Sequence, residues 1–262
     1  MGKSIAIHSY KGGTGKTVIA TNLAVTYAMK GFNVCLLDYD FRAPSLHILF
    51  NAKPSFWLND FLEGKCNIAD ALVESGLAVL GKLFIGFANP SIDAMREMMV
   101  KNRTWEMEAL HRILSAKTTV YRDLKIDYII FDTSPGIHYS SINALAASDK
   151  IVLVLKMDEF DLEGTKNLIK GIYDILGRRT GILLNKVLTT TTQHKTGIKD
   201  EEERMTRNLE NLDKAFNRPI LGVIPCYCDI LLSGGKSIYA LEKQNHPFSK
   251  TLIKVAEELD KL

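Results

Sequence analysis

Residues 10–17 read Tyr-Lys-Gly-Gly-Thr-Gly-Lys-Thr, with glycines at 12, 13 and 15 and lysines at 11 and 16. Such glycines let the backbone curl so that successive N–H groups point inward. Those groups, and the N-terminus of a following helix, attract phosphate oxygens. Lys16 adds a full positive charge where the β- and γ-phosphates of a nucleotide would lie, and Thr17 offers a hydroxyl to Mg²⁺. The run Lys11, Gly12, Gly13, Thr14, Gly15, Lys16, Thr17 and Val18 is therefore the candidate nucleotide cradle. It departs from the common P-loop pattern at Tyr10, which stands where a glycine is usual, and a second lysine, Lys11, follows at once.

Carboxylates supply the second part of the chemistry. Asp38 and Asp40 close an apolar run at residues 33–38. Two aspartates two positions apart point the same way on an extended backbone, an arrangement suited either to an Mg²⁺ shell or to a base that orients water. Asp132 closes a second apolar run at 126–132 and is followed by Thr133-Ser134-Pro135-Gly136. A buried strand ending in Asp, behind a P-loop, places a carboxylate on the Mg²⁺ or its waters. Gly136 is then expected to present its N–H to a γ-phosphate.

These residues need strands that end together and helices that begin beside them. Residues 5–7 alternate into the loop, and a helical pattern with Ala20, Leu23, Ala24, Tyr27 and Ala28 leaves it, stopped at Lys30-Gly31. Further strands are expected at 33–38, 77–80, 83–87, 126–132, 151–155, 180–186 and 220–225. Between them lie helical stretches. Asn67 is placed to cap one over 68–73. Ser91 opens another with Met95, Met98 and Met99, and Thr104 a third with Met107, Leu110, Ile113 and Leu114, the methionines expected in the core. A helix with Leu162, Leu168, Ile169, Ile172 and Leu176 ends at Gly177, and the last helix buries Leu252, Val255, Ala256, Leu259 and Leu262. The polar run 189–199 is expected to be a mobile loop, followed by a helix with an acidic start at 200–203. Strand–helix alternation throughout predicts an α/β fold: a doubly wound, mostly parallel sheet with helices on both faces, in a single domain over residues 1–262.

The chain has 262 residues, with a 46% hydrophobic and 24% charged composition and a net charge of +3. That balance belongs to a soluble globular protein and is too small to imply nucleic-acid binding by itself. No apolar run approaches the ~20 residues of a membrane span. With Lys3 leading directly into a strand, no signal peptide is expected. Four cysteines (35, 66, 226 and 228) suggest no disulfide framework, and a reducing cytoplasm is the expected location.

KGGTGKT, the Asp38-x-Asp40 strand end, the Asp132-Thr-Ser-Pro-Gly136 turn, Leu-Leu-Asn185-Lys186 and Leu-Gly-Val-Ile-Pro225 occur in that order. Together they resemble the deviant-Walker-A P-loop ATPases of the ParA/MinD type. The resemblance implies binding and hydrolysis of ATP to ADP with Mg²⁺, by a homodimer formed face to face around two nucleotides. Lys11 would reach the partner's phosphates in trans, as an arginine finger does. Asp40 would position the attacking water. Thr17 would ligate Mg²⁺, with Asp38 and Asp132 on its waters. Asn185 would hydrogen-bond adenine and the Pro225 turn would line its pocket. A stimulating partner protein is implied, with work in positioning or partitioning DNA or other cargo. The tail lacks the basic amphipathic character of a membrane helix, so membrane binding is not expected. Weak, ATP-dependent, nonspecific DNA binding is expected, with Lys195, Lys199, Arg204 and Arg207 as candidate contacts beside acidic neighbours. Two rivals remain. One is a P-loop protein like the bacterial tyrosine kinases, which lack the signature lysine present here. The other is an Mrp-like metal or iron–sulfur carrier using Cys226 and Cys228, two thiolates that make half a tetrahedral site.

Overall fold

A computed structural model describes residues 2–188, 212 and 216–262. Eight strands form one sheet: β1 (Lys3–His8), β2 (Val34–Tyr39), β3 (Leu72–Glu74), β4 (Leu83–Gly86), β5 (Tyr128–Thr133), β6 (Lys150–Leu155), β7 (Arg179–Val187) and β8 (Ile220–Pro225). Their spatial order is β3-β4-β2-β5-β1-β6-β7-β8, parallel except for the edge pair β3–β4. The central strands are almost wholly apolar because both faces are covered. Alternation along them divides the core. Ile5, Ile7, Val34 and Leu36 pack on one face, with helix α1 (Lys16–Met29) and the C-terminal helix Pro247–Lys261. Ala6, Cys35, Leu37 and Phe131 pack on the other, with Arg103–Arg122, Tyr139–Ala147 and Glu159–Leu168. This is the doubly wound arrangement expected from the strand–helix alternation.

The topology fixes where a ligand sits. The chain order leaves β1 toward β5 on one side and toward β6 on the other, so the crevice at the carboxyl ends of these strands is the switch point. α1 begins in that crevice and ends at Lys30, with Gly31 left-handed at φ +92°.

Several expectations are corrected. Residues 77–80 form no strand, and Leu80 is 85% exposed. The edge strand is instead Leu72–Glu74, inside the stretch expected to be helical. Asn67 does start a turn of helix, closed by a capping box with Asp70, but it is a short 3-10 turn over Ile68–Ala71. Val73 then pairs with Ile85, where the ladder along β4 completes backbone hydrogen bonds that a longer helix would have left to solvent. The methionines lie at the margin of the core rather than in it: Met95 and Met98 are half-buried, Met98 against the core, while Met99 and Met107 are exposed. Ser91 caps Ile92–Val100 as expected, yet that helix buries no residue, and Met99 is 63% exposed. In Arg103–Arg122 the buried stripe is Glu106, Ala109, Ile113, Ala116 and Val120, which turns Met107 and Leu114 outward. The helix expected to end at Gly177 does end there, but through an unforeseen π-helical segment at Ile169–Tyr173. The C-terminal stripe is buried from Leu252 to Leu259, and Leu262 is half-buried. The loop at 189–199, the acidic helix start at 200–203 and the four candidate DNA contacts lie outside the described residues.

Candidate nucleotide site

The loop between β1 and α1 has the conformation its glycines allow. Gly13 and Gly15 are left-handed, at φ +72° and +94°. Gly15 is constrained twice, because a Cβ there would stand 2.5 Å from Asn185 Nδ2. The loop forms the floor of a cleft of about 450 Å³ that also takes in Lys16, Thr17, Asp40, Arg42, Pro135 and His138.

Register brings the acids together. In the parallel pair β2–β5, Asp38 stands opposite Asp132, at the strand spacing of roughly 4.8 Å. Both are buried. Asp38 accepts the Asp40 and Leu46 N–H groups at 3.2 and 3.4 Å. Neither Asp132 oxygen has a hydrogen-bond partner. Burial raises the Asp132 carboxyl to about 7, with the neighbouring Thr17 hydroxyl and Lys16 charge pulling the other way. Burial, then the charges of Asp132 and Asp40, hold Asp38 well above the usual carboxylate range. The Lys16 ammonium is lowered by burial, against the attraction of Asp132 and Asp40. Two orphaned buried oxygens beside a threonine hydroxyl and a paired carboxylate are a donor set for a hard cation. Among the described residues no group of three or more His, Cys, Asp and Glu forms a ready cage. Mg²⁺ normally uses one or two carboxylates, waters and phosphates instead, so the residues present fit that ion with a nucleotide.

The cationic groups rest on internal oxygens. Lys16 Nζ donates to Ser9 Oγ at 2.9 Å, and Lys11 Nζ to Asp158 Oδ1 at 3.1 Å with the Phe160 ring beneath it. Asp158 caps Glu159–Leu168 with the same oxygen, accepting the Asp161 N–H at 2.9 Å. That bond and then Lys11 hold its carboxyl below the usual range. Gly136 is left-handed at φ +76°, and its N–H is given to the Ser9 carbonyl at 2.9 Å rather than facing the cleft. Asp40 accepts the Arg42 and Ala43 N–H groups at 3.3 and 3.2 Å, which shapes its own turn at the rim.

A second cavity adjoins the first through Gly15 and Val18, and is lined by Asn185, Pro225, Cys226 and Tyr227. Its geometry comes from a bulge. Between β7 and β8 the register runs Leu184↔Val223 and then Val187↔Pro225, leaving two residues opposite one. A bulge re-aims side chains, and here Asn185 Nδ2 donates to the Thr14 carbonyl at 2.7 Å and Lys186 Nζ to the Gly13 carbonyl at 2.9 Å. Lys186 takes φ +56° to do so. Cys226 is half-buried at this pocket and Cys228 is exposed at the start of Cys228–Leu232. The pair alone supplies two sulfurs.

The residues the sequence reading did not single out are Arg42, His138, Lys186 and Asp158. Arg42 donates from Nη1 to the His138 ring, at 2.6 Å from Nε2, bridging the rims of the cleft. Only Lys186 lay inside a motif already in view, and Arg42 stands two residues beyond the Asp38-x-Asp40 strand end. Topology brings His138 to the cleft and Asp158 to Lys11, which no spacing encodes.

A phosphate cradle at the switch point of a doubly wound sheet, with strand-end carboxylates beside it, defines a P-loop nucleotide-binding fold. An AAA-domain family model matches residues 2–189. The septum site-determining protein MinD of Thermotoga maritima is 26% identical over 264 residues, covering 99% of this chain and 88% of that protein. The chromosome-partitioning ATPase Soj of Treponema pallidum is 26% identical over 218 residues, covering 83% and 82%. In the solved structures, MinD from Pyrococcus horikoshii complexed with Mg-ADP matches with a TM-score of 0.77 at 21% identity, covering 100% and 97%. The chain belongs to this AAA-domain family and is a P-loop ATPase of the ParA/MinD type.

Proposed function

We propose that this chain is a Mg²⁺-dependent ATPase that works as an ATP-driven dimerisation switch in the positioning or partitioning of DNA or other cargo. The observation that carries the reading is Asp132: a buried carboxylate with no partner, beside Thr17 and Lys16 at the mouth of a glycine cradle. Phosphates would take the N–H groups of residues 12–17 and the Lys16 ammonium. Thr17 would hold Mg²⁺, with Asp38 and Asp132 on its waters, and the ion would neutralise charge on the phosphate oxygens. The adjoining cavity has the polar and apolar walls a purine needs, with Asn185 Oδ1 and its second N–H for hydrogen bonds. Asp40, at the open rim, would orient the attacking water. Lys11 would leave Asp158 for the partner's nucleotide. Its present ion pair is more than one-third exposed on each side, and such pairs contribute only about 0–1 kcal/mol, so release costs little. The relatives' names, septum site determination and chromosome partitioning, support cellular positioning as the setting, and the proposal includes a second protein that stimulates turnover.

The test is nucleotide binding by calorimetry and phosphate release, with and without Mg²⁺. Wild-type protein is expected to bind ATP–Mg²⁺ and hydrolyse it slowly. Lys16→Ala is expected to lose both. Tight binding without Mg²⁺, or hydrolysis that survives Lys16→Ala, would overturn the reading.

A further inference from the structure

His8 is the last residue of β1, and its ring is enclosed between the nucleotide loop and the helix that follows β6. Burial, and then the Lys16 charge, hold the imidazole down at about 3, so the ring is neutral with one N–H and one lone pair. Nε2 lies 3.0 Å from the Gly136 carbonyl oxygen, which only accepts. Nε2 therefore carries the proton, and Nδ1 accepts the hydroxyl of Tyr173. Every polar atom of the ring is engaged.

Tyr173 is itself aimed by an irregularity. It closes the π-helical segment Ile169–Tyr173 between Glu159–Leu168 and Asp174–Leu176. π turns inside α-helices are rare and frequently mark functional sites. Here it brings a buried tyrosine edge-on to His8. The same helix carries Gly164, where a Cβ would stand 2.0 Å from the Tyr10 ring, and it begins at Asp158, the partner of Lys11. It therefore touches the loop region at three places.

Gly136 is gripped from both sides. Its N–H goes to the Ser9 carbonyl at 2.9 Å and its carbonyl accepts from His8. The N–H and the carbonyl lie in successive peptide units, so a displacement of the whole turn toward the cleft has to break both the Ser9 and the His8 bonds. We propose that His8, locked by Tyr173, is a positioning residue that holds the Gly136 turn away from the phosphate cleft and so sets how strongly the protein distinguishes a nucleoside triphosphate from a diphosphate. This rests on the nucleotide reading above. A γ-phosphate must draw the turn against the clamp, whereas a diphosphate leaves it closed.

The experiment measures dissociation constants for ADP and for a non-hydrolysable ATP analogue, both with Mg²⁺, on wild type, Tyr173→Phe and His8→Leu. Tyr173→Phe removes one hydroxyl and keeps the ring, so it folds even where His8→Leu does not. The variants are expected to bind ADP as wild type does and the triphosphate analogue about fivefold more tightly, the scale of one net hydrogen bond. A folded Tyr173→Phe protein with an unchanged ratio of the two constants would overturn the proposal. So would an equal change in both, which is what a purely structural tyrosine gives. Wild-type protein that binds neither nucleotide would instead remove the nucleotide reading on which the clamp depends.

Discussion

Gly15 and Asp132 carry opposite kinds of constraint, and each yields a measurable consequence. At Gly15 the backbone is left-handed and Asn185 stands where a Cβ would go. Gly15→Ala therefore meets both conformational strain of roughly 1 kcal/mol or more and a collision with the side chain that supports Thr14. A lowered melting temperature together with weakened nucleotide binding is expected. Wild-type behaviour in both assays would mean the loop is held differently. Asp132 is strained by charge. Its folded pKa is about 7, against 3.8 ordinarily. Between those values the unfolded chain binds fewer protons than the folded one, so this group makes stability fall as pH rises from about 4 to 7. The isosteric amide has no such proton to lose. Relative to wild type, Asp132→Asn is expected to be increasingly stable as pH rises across that window and to gain nothing near pH 4. Denaturant melts of the two proteins at several pH values measure this directly. Mg²⁺ with nucleotide is expected to cancel the difference by giving the ionised carboxylate a counter-charge. Legibility at this scale was high where the residue type itself carries the chemistry: three glycines, Lys16, Thr17, Asp38 and Asp132 all converge as their spacing implied. Gly136 was harder. It follows the Asp132 strand end, but its N–H goes to Ser9 and its carbonyl to His8, and no motif ties those residues to it.

The strands and helices that position these groups were legible in proportion to their burial. Strands β1, β2, β5, β6 and β7 stand where continuous apolar runs ended in polar residues, because both their faces are covered, and β8 stands at the sheet edge where its apolar run ended at Pro225. β3 was missed because it is three residues long, lies at the edge and is paired by its neighbour rather than by its own pattern. The Ile92–Val100 helix stands where Ser91 implied, but its methionines are at most half-buried for a related reason: an apolar composition says that residues favour a core, not that one is available. The bulge that aims Asn185 and Lys186, and the π segment that aims Tyr173, are backbone irregularities invisible to periodicity. Two elements give predictions. The C-terminal helix packs on α1 and β8 through fully buried Leu252, so Leu252→Ala is expected to cost about 2–5 kcal/mol of folding stability, read by chemical denaturation. Asp158→Ala removes both an exposed ion pair and the N-cap of Glu159–Leu168, and is expected to cost about 0.5–2 kcal/mol. It frees Lys11, so the ATP dimer is expected to form at lower protein concentration. A dimer that needs more protein would place Asp158 among the groups that support the dimer instead.

At the scale of the whole molecule, the proposed function rests on one division of labour: Lys16 would serve its own subunit's nucleotide, Lys11 would serve the partner's, and Asp40 would hold only the water. Lys16 is buried at the floor of the cleft, whereas Lys11 is held by an ion pair that is more than one-third exposed on each side. Asp40 lines the cleft. The order of motifs and the match over most of the chain identified the family, but nothing in a single chain encodes what surface or cargo it meets. The central claim is that the γ-phosphate lies between two subunits. Size-exclusion chromatography with light scattering, in ATP–Mg²⁺, on wild type, Lys11→Ala and Asp40→Ala tests it most directly. The account predicts that Lys11→Ala binds ATP yet stays monomeric, and that Asp40→Ala accumulates as a stable dimer because the step that resets it is lost. A Lys11→Ala protein that dimerises with ATP as wild type does, or an Asp40→Ala protein that hydrolyses ATP and returns to monomer, would contradict it.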